Sequence, residues 1–220
     1  MLSQRLLDFS LMGAEWVLWL LVALSALSVA VMFDRFIFYF RTREQMEDLE
    51  PALKDALSAG DATKARELVG SDTFVRNILR VGIDHVAEGK LSAEAVEQAM
   101  VGAMAKERAR YDARLTILAT IGNNAPFIGL FGTVLGIIMA FHELGLATAD
   151  QNAAQVVMGA ISEALVATGV GIFVAIPAVA AYNWAKAHVG ARGKYATSLM
   201  GALLAHHAHF PSQSSEKESS

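Results

Sequence analysis

Three long apolar runs constrain this chain more than any other feature of its sequence. Residues 16–40 contain only two charged side chains, residues 117–141 contain none, and residues 156–182 contain only Glu163. A hydrocarbon layer about 30 Å thick is crossed by roughly 20 helical residues, and each run exceeds that length. Because lipid offers no hydrogen bonds to the backbone, each run is predicted to be a transmembrane helix.

The composition agrees with a membrane protein. Hydrophobic residues make up 54% of the 220 residues and the mean hydropathy is +0.39, which is above the usual soluble range. The alternative is a soluble bundle, but soluble cores rarely need three such runs. The first run is too long for the apolar part of a signal peptide and lacks a cleavage site after it, so we expect a retained anchor. The predicted fold is an all-α integral membrane protein with three transmembrane helices and long cytoplasmic helical extensions.

Basic residues are distributed unevenly between the runs. Residues 41–116 contain twelve Lys and Arg side chains, whereas residues 142–155 contain none. The positive-inside rule therefore predicts a cytoplasmic helical domain at 41–116 and a periplasmic loop at 142–155. It also predicts a periplasmic segment at 1–15, and a cytoplasmic helix followed by a disordered tail within 183–220.

The second run is predicted to continue a cytoplasmic helix. Ser92 has the character of an N-cap, and no proline or glycine pair follows between Ala93 and Pro126. One helix over residues 93–141 would be roughly 74 Å long at 1.5 Å per residue. The sequence thus predicts an uninterrupted stalk that enters the membrane.

Small residues recur on one face of the second and third runs. The second run has them at helical spacing at Gly129, Thr133, Gly136 and Ala140, with Gly132 beside them. The third run has Ala164, Thr168, Gly171 and Ala175. In lipid, such faces allow close helix packing, and they exceed what three helices can bury among themselves, which predicts a homo-oligomer or a partner helix. Pro126 and Pro177 each leave one carbonyl without its helical donor and are predicted to bend their helices slightly.

Glu163 is the side chain of highest energetic cost in the three runs. A charge at the membrane centre costs about 2.5 to 3.5 kcal/mol on insertion scales, so such carboxylates usually face a bundle interior or an aqueous path. The alternative is a protonated or snorkelling glutamate that holds helices together. Thr133 and Thr168 could each bond a carbonyl four residues back or line the same path. About 140° of helix rotation separates Glu163 from Thr168, so only a ring of subunits could direct both at one place.

Enzyme chemistry finds little support in the sequence. The chain has no cysteine, which excludes disulfides, thiolate metal sites and cysteine nucleophiles. His142 and Glu143 begin a zinc-protease pattern, but its second histidine is absent because position 146 is leucine. A histidine cluster near the C-terminus could bind a metal adventitiously or be solvated: His206, His207 and His209. We expect no enzyme activity, no cofactor, no metal and no nucleic acid.

Two stretches carry a resemblance to a known family. LATIGNNAPFIGLFGTVLGIIMAF at 118–141 and GAISEALVATGVGIFVAIPAVAAYN at 159–183 resemble helix signatures of the MotA/TolQ/ExbB proton-channel family. Three runs with an external N-terminus fit its ExbB and TolQ branches better than its four-span flagellar stators. By motif, Thr133, Glu163 and Thr168 correspond to the pore residues of the family.

The resemblance implies partners and a function. Such proteins form pentamers in the bacterial inner membrane, and the central pore encloses two helices of an ExbD- or TolR-like single-span protein with a membrane aspartate. Proton flow then drives work through a TonB- or TolA-like protein. We expect an ExbB-type subunit that energises TonB-dependent transport, with a TolQ-type or gliding-motor subunit as the alternative and a passive membrane scaffold as the third reading.

Overall fold

The computed structural model describes residues 15–43, 46–88, 92–146 and 153–206, and the regular structure in these ranges is entirely α-helical. Its helices are α1 (Glu15–Arg41), α2 (Met46–Ser58), α3 (Ala62–Leu68), α4 (Phe74–Glu88), α5 (Ala93–Asp112), α6 (Leu115–Leu146) and α7 (Ala153–Ala205). Helices α1, α6 and α7 are long and apolar enough to cross a membrane. The predicted all-α fold with three membrane-crossing helices is therefore confirmed for these residues.

Some sequence predictions concern residues that the structure does not describe. The predicted N-terminal periplasmic segment lies almost wholly outside the described residues, as do residues 147–152 of the loop predicted at 142–155 and the tail after His206. Those predictions stay predictions.

The chain divides into two compact units. The membrane unit comprises the described residues of Met1–Arg35 and Arg114–Trp184, and the polar unit comprises those of Phe36–Ala113 and Ala185–Ser220. Most of α1, all of α6 and the first part of α7 therefore belong to the membrane unit. The polar unit contains α2 to α5 together with the remaining parts of α1 and α7.

The membrane unit has a small-residue core and a surface of large apolar side chains. Its buried cluster draws on all three helices: Val17, Leu21, Ile121, Ala125, Leu135, Val174, Ala175 and Ala178. Trp19, Phe127 and Phe173 lie outside it, with 72%, 68% and 76% of their surface exposed. A soluble protein rarely exposes so much contiguous apolar surface. Its surface is therefore suited to lipid or to other helices.

The predicted uninterrupted stalk is wrong, because the chain leaves the helical conformation between α5 and α6. Ser92 does cap α5 as predicted, accepting a hydrogen bond from the Ala95 amide at 3.3 Å. The helix then ends at Asp112, and Arg114 adopts a left-handed φ of 64°. Arg114 Nη1 lies 2.7 Å from Asp34 Oδ1 on α1, an ion pair that helps to hold this unusual backbone conformation. An uninterrupted long helix occurs instead at α7, which has 53 residues.

Tyr111 organises the interior of the polar unit. Its ring contacts Phe38 and Phe74 edge-on, and its hydroxyl accepts a hydrogen bond from the Phe74 amide at 3.1 Å. The Tyr39 hydroxyl donates to the Tyr111 carbonyl at 2.9 Å. The guanidinium carbon of Arg192, a residue only 1% exposed, lies 5.2 Å from the centre of the Tyr111 ring. This cation–π contact offsets part of the free energy lost when the charge is buried.

Charged contacts hold the turn before α4. Arg110 donates two hydrogen bonds of 2.7 Å to the two carboxylate oxygens of Asp72, and the Asn77 amide donates a third of 2.7 Å. These contacts, that of Arg110 above all, hold the pKa of Asp72 well below its usual value. Because the folded-state pKa is depressed, the stabilisation is fully present above the unfolded-state pKa and is lost as the pH falls through the folded-state pKa.

We expect Asp72→Asn to lower the thermal stability of the purified chain at neutral pH. The side chain of Asp72 is 68% exposed, so solvent screening limits the loss to about 1 kcal/mol. The difference from the wild type should be constant between about pH 7 and pH 5 and should shrink below about pH 4. Circular dichroism melting in detergent measures it, with the exposed Asp55→Asn on α2 as the control. A difference that grows as the pH falls would contradict this assignment.

Candidate functional site

Helices α6 and α7 approach each other at backbone distance. A Cβ atom added to Gly129 would lie 2.6 Å from the Ala167 carbonyl oxygen and 3.0 Å from Thr168 Cα. One added to Gly171 would lie 2.6 Å from the Ala125 carbonyl oxygen and 3.1 Å from Gly129 Cα. Real Cβ atoms essentially never approach other atoms as closely as 2.6 Å. Glycine at these two positions is what lets the helices meet.

The other small residues lie in the same contact. A Cβ atom on Gly136 would lie 2.5 Å from Ala164 Cβ, and one on Gly132 would lie 2.9 Å from Ala167 Cβ. The small faces of α6 and α7 are thus occupied within a single chain. The homo-oligomer or partner helix that the sequence predicts stays a prediction. Pro126 is half-buried and Pro177 is exposed, and both lie inside continuous helices.

Thr133 and Thr168, called here the threonine pair, touch where these helices cross. Their Oγ1 atoms lie 2.7 Å apart. Thr133 Oγ1 also lies 2.9 Å from the Leu130 carbonyl oxygen and 3.2 Å from that of Gly129. Thr133 is 7% exposed, whereas Thr168 is half-buried. The carbonyl contacts that form one of the two alternatives are therefore present at Thr133, and its role in lining a path stays a prediction.

The threonine pair can reverse the direction of its hydrogen bond. Each hydroxyl has one proton, so Thr133 can donate to Thr168 or to a carbonyl of its own helix, but not to both. When Thr168 donates to Thr133, its outer lone pair remains available to accept. When Thr133 donates to Thr168, the Thr168 proton is available to a third group. At the half-buried Thr168, the pair can therefore either donate or accept.

Glu163 lies apart from the threonine pair. It is exposed on α7, and its position five residues before Thr168 places it about 7.5 Å away along the helix axis. Its carboxylate forms no ion pair or hydrogen bond with the residues that the structure describes. An ionised carboxylate on the surface of a membrane unit has a high energetic cost unless it meets water or another molecule. In its ionised form, Glu163 would therefore need a polar environment outside this chain.

One polar contact of the membrane unit, between Asp34 and Arg114, was not predicted from the sequence. The Asp34 carboxylate on α1 accepts hydrogen bonds from Arg35 and from Arg114, each at 2.7 Å. Arg114 directly precedes the first residue of α6. The sequence shows only that Asp34 and Arg35 are adjacent within an apolar run. It does not indicate that Arg114 pairs with Asp34.

The histidines provide no metal centre among the described residues, where no group of three potential ligands occurs. His206 Nδ1 lies 2.8 Å from the Ala202 carbonyl oxygen of its own helix, while His207 and His209 lie outside the described residues. His142 and Glu143 are both exposed on α6.

Comparison with known proteins settles the family. The model of the MotA/TolQ/ExbB proton channel family matches residues 70–195, a range that includes the threonine pair and Glu163. The chain belongs to this family. The resemblance carried by the two sequence stretches is thereby confirmed, and the chain is a membrane-embedded proton-channel motor subunit of the ExbB/TolQ type.

Relatives from both branches are similar to the chain. The biopolymer transport protein ExbB of Neisseria gonorrhoeae is 36% identical over 174 residues, which are 75% of this chain and 78% of the relative. ExbB of Xanthomonas campestris is 35% identical over 188 residues, or 78% of this chain and 73% of the relative. The Tol-Pal system protein TolQ of Pseudomonas aeruginosa is 49% identical over 90 residues, which span 41% of this chain and only 38% of that relative.

Proposed function

We propose that this chain forms the ring of an ExbB–ExbD type motor that couples the proton-motive force across the bacterial inner membrane to TonB-dependent transport. Family membership and the three membrane helices support this role. The ExbB relatives align over about three quarters of the chain, which favours this branch. The ring is a pentamer, with the N-terminus periplasmic and the C-terminus cytoplasmic according to the distribution of Lys and Arg.

In this proposal, the proton carrier is supplied by another chain. An ExbD- or TolR-like single-span protein places the carboxyl group of its membrane aspartate next to Thr168 in the pore. An ionised carboxylate accepts a hydrogen bond from Thr168, and a protonated one donates to it. The 2.7 Å contact between the Thr133 and Thr168 hydroxyls is the observation that carries this role, because a pair that can reverse its hydrogen bond offers a partner to both states of the carrier.

Glu163 provides the polar surface on the periplasmic side of the threonine pair. Repeated by the symmetry of the ring, it forms a belt of carboxylates through which protons approach the carrier. Neutralising the carrier removes its charge and lets the enclosed helices move. The work then passes to a TonB- or TolA-like protein through the periplasmic part of the partner.

Removing the Thr168 hydroxyl tests this role. Thr168→Val keeps the shape of the side chain, and we expect at least about a tenfold loss of proton uptake by reconstituted complexes, because one hydrogen bond to a charged group is worth about 1.5 to 3 kcal/mol. Thr133→Val should have a smaller effect in the same direction. Thr168→Ser should retain uptake, and Thr197→Val in the polar unit serves as the control. Full uptake by Thr168→Val in an intact assembly would favour a passive scaffold.

A TolQ-type motor is the second candidate, since the TolQ relative is 49% identical over its aligned stretch. Co-purification from native membranes separates the two. We expect an ExbD-like partner and a TonB-like protein with this chain, and recovery of TolR- and TolA-like proteins instead would assign it to the TolQ branch.

A further inference from the structure

The exposed face of α6 changes its chemistry at Phe127. From Arg114 to that residue, the exposed side chains are mostly polar, with Ile117 as the main exception: Thr116, Thr120, Asn123 and Asn124. From Phe127 to Phe141, the exposed side chains of α6 are large and apolar: Phe127, Leu130, Phe131, Val134, Ile137, Ile138 and Phe141. Three of the polar residues recur every four positions, so they form a line about 12 Å long.

Two side chains of this line donate hydrogen bonds to carbonyl groups of their own helix. The Thr120 hydroxyl donates to the Thr116 carbonyl at 2.9 Å, and the Asn124 amide nitrogen donates to the Thr120 carbonyl at 2.7 Å. The Thr120 proton and one of the two Asn124 amide protons are thus used within the helix. The lone pairs of Thr120 Oγ1 and Asn124 Oδ1 receive no hydrogen bond from the described residues. The outward face is therefore rich in acceptors.

Such a face does not suit lipid. An amide or hydroxyl without a hydrogen-bond partner costs about 2 to 7 kcal/mol in an apolar environment. A second copy of the same face would leave some of these acceptors without donors, because Thr120 and Asn124 of each copy together have only one amide proton left to donate. Water supplies those donors in any orientation.

We propose that Thr116, Thr120 and Asn124 line a water-filled inlet into the membrane unit, open at the Arg114 end of α6 and closed at Phe127. Resting on the proposed function, the inlet gives protons their route between the cytoplasm and the carrier at the threonine pair. Asn124 lies nine residues before Thr133, or about 14 Å along the helix. Exposed Phe127 and Leu130 occupy that interval, so water does not form a continuous path, and passage depends on the carrier.

Thiol accessibility tests the inlet directly. The chain has no cysteine, so an introduced one is its only thiol. We compare Thr120→Cys and Asn124→Cys with Val134→Cys and Ile138→Cys, controls from the exposed apolar part of α6. A charged, membrane-impermeant methanethiosulfonate is added to vesicles that contain the whole complex, in both orientations. We expect the two inlet cysteines to react at least about tenfold faster than the controls, and from the cytoplasmic side only.

The results of labelling and of proton uptake distinguish failure of the proposed inlet from failure of the proposed motor function. Equal rates at all four positions, or oxidative cross-linking of Asn124→Cys between copies without labelling, would overturn the inlet. For the proton route, Asn124→Leu should slow proton uptake several-fold while Asn124→Ser retains it, and unchanged uptake with Asn124→Leu would overturn that role. Labelled inlet cysteines in an intact complex that takes up no protons would sustain the inlet and reject the proposed motor function.

Discussion

Glu163→Ala should reduce proton uptake by reconstituted complexes by about a hundredfold or more, the range found when a positioned proton-transfer group is removed. Glu163 is exposed on α7 and has no partner among the described residues, so its carboxylate is available to protons and to other chains. The measurement follows a pH-sensitive dye inside liposomes after a proton-motive force is applied. The matched control is Glu143→Ala, an exposed glutamate on α6, which should retain uptake.

Glu163→Gln separates proton transfer from packing. Glutamine keeps the size and the hydrogen-bonding capacity of the side chain but cannot take up a proton. We expect it to be as inactive as alanine, and Glu163→Asp to retain part of the uptake. If Glu163→Gln keeps full uptake in an intact assembly, the side chain merely holds helices together and the proposed role is wrong.

Gly171→Ala should lower both the thermal stability and the proton uptake of the protein. Its added methyl group would lie 2.6 Å from the Ala125 carbonyl oxygen, which is backbone and cannot rotate away. The two helices must then separate, at a cost of about 1 to 3 kcal/mol, which corresponds to a fall in Tm of about 5 °C for a chain of this size. The threonine pair, in contact at 2.7 Å about one turn away, would lose its contact as well.

Gly169→Ala is the matched control. It lies on the same helix two residues earlier, and a Cβ atom there meets nothing within 4 Å. Alanine also favours the helix over glycine by about 1 kcal/mol, so this variant should be as stable as the wild type or more so. Equal loss of stability in both variants would contradict the close packing of α6 and α7.

For the small residues, the sequence predicts the helical face on which they lie but not the helix that this face contacts. Periodicity places Gly129, Gly136 and Gly171 on helical faces, because helical rotation per residue is constant. Periodicity does not say which helix a face meets. The structure pairs the faces of α6 and α7 within one chain, whereas periodicity alone left open a second copy or a partner helix as their neighbour.

The three membrane helices and the carboxylate of Glu163 inside the third are predicted from run length and charge alone, whereas Thr133 and Thr168 are singled out by the resemblance to the family. A run of more than about 20 apolar residues is long enough to cross the hydrocarbon layer as a helix. A carboxylate within such a run indicates a functional site because burying its charge there has a high energetic cost. Tertiary structure alone decides that α5 and α6 are separated at Arg114, whose left-handed backbone pairs with Asp34 far away in sequence. It alone brings the two threonine hydroxyls to 2.7 Å, because that contact depends on how closely two backbones approach.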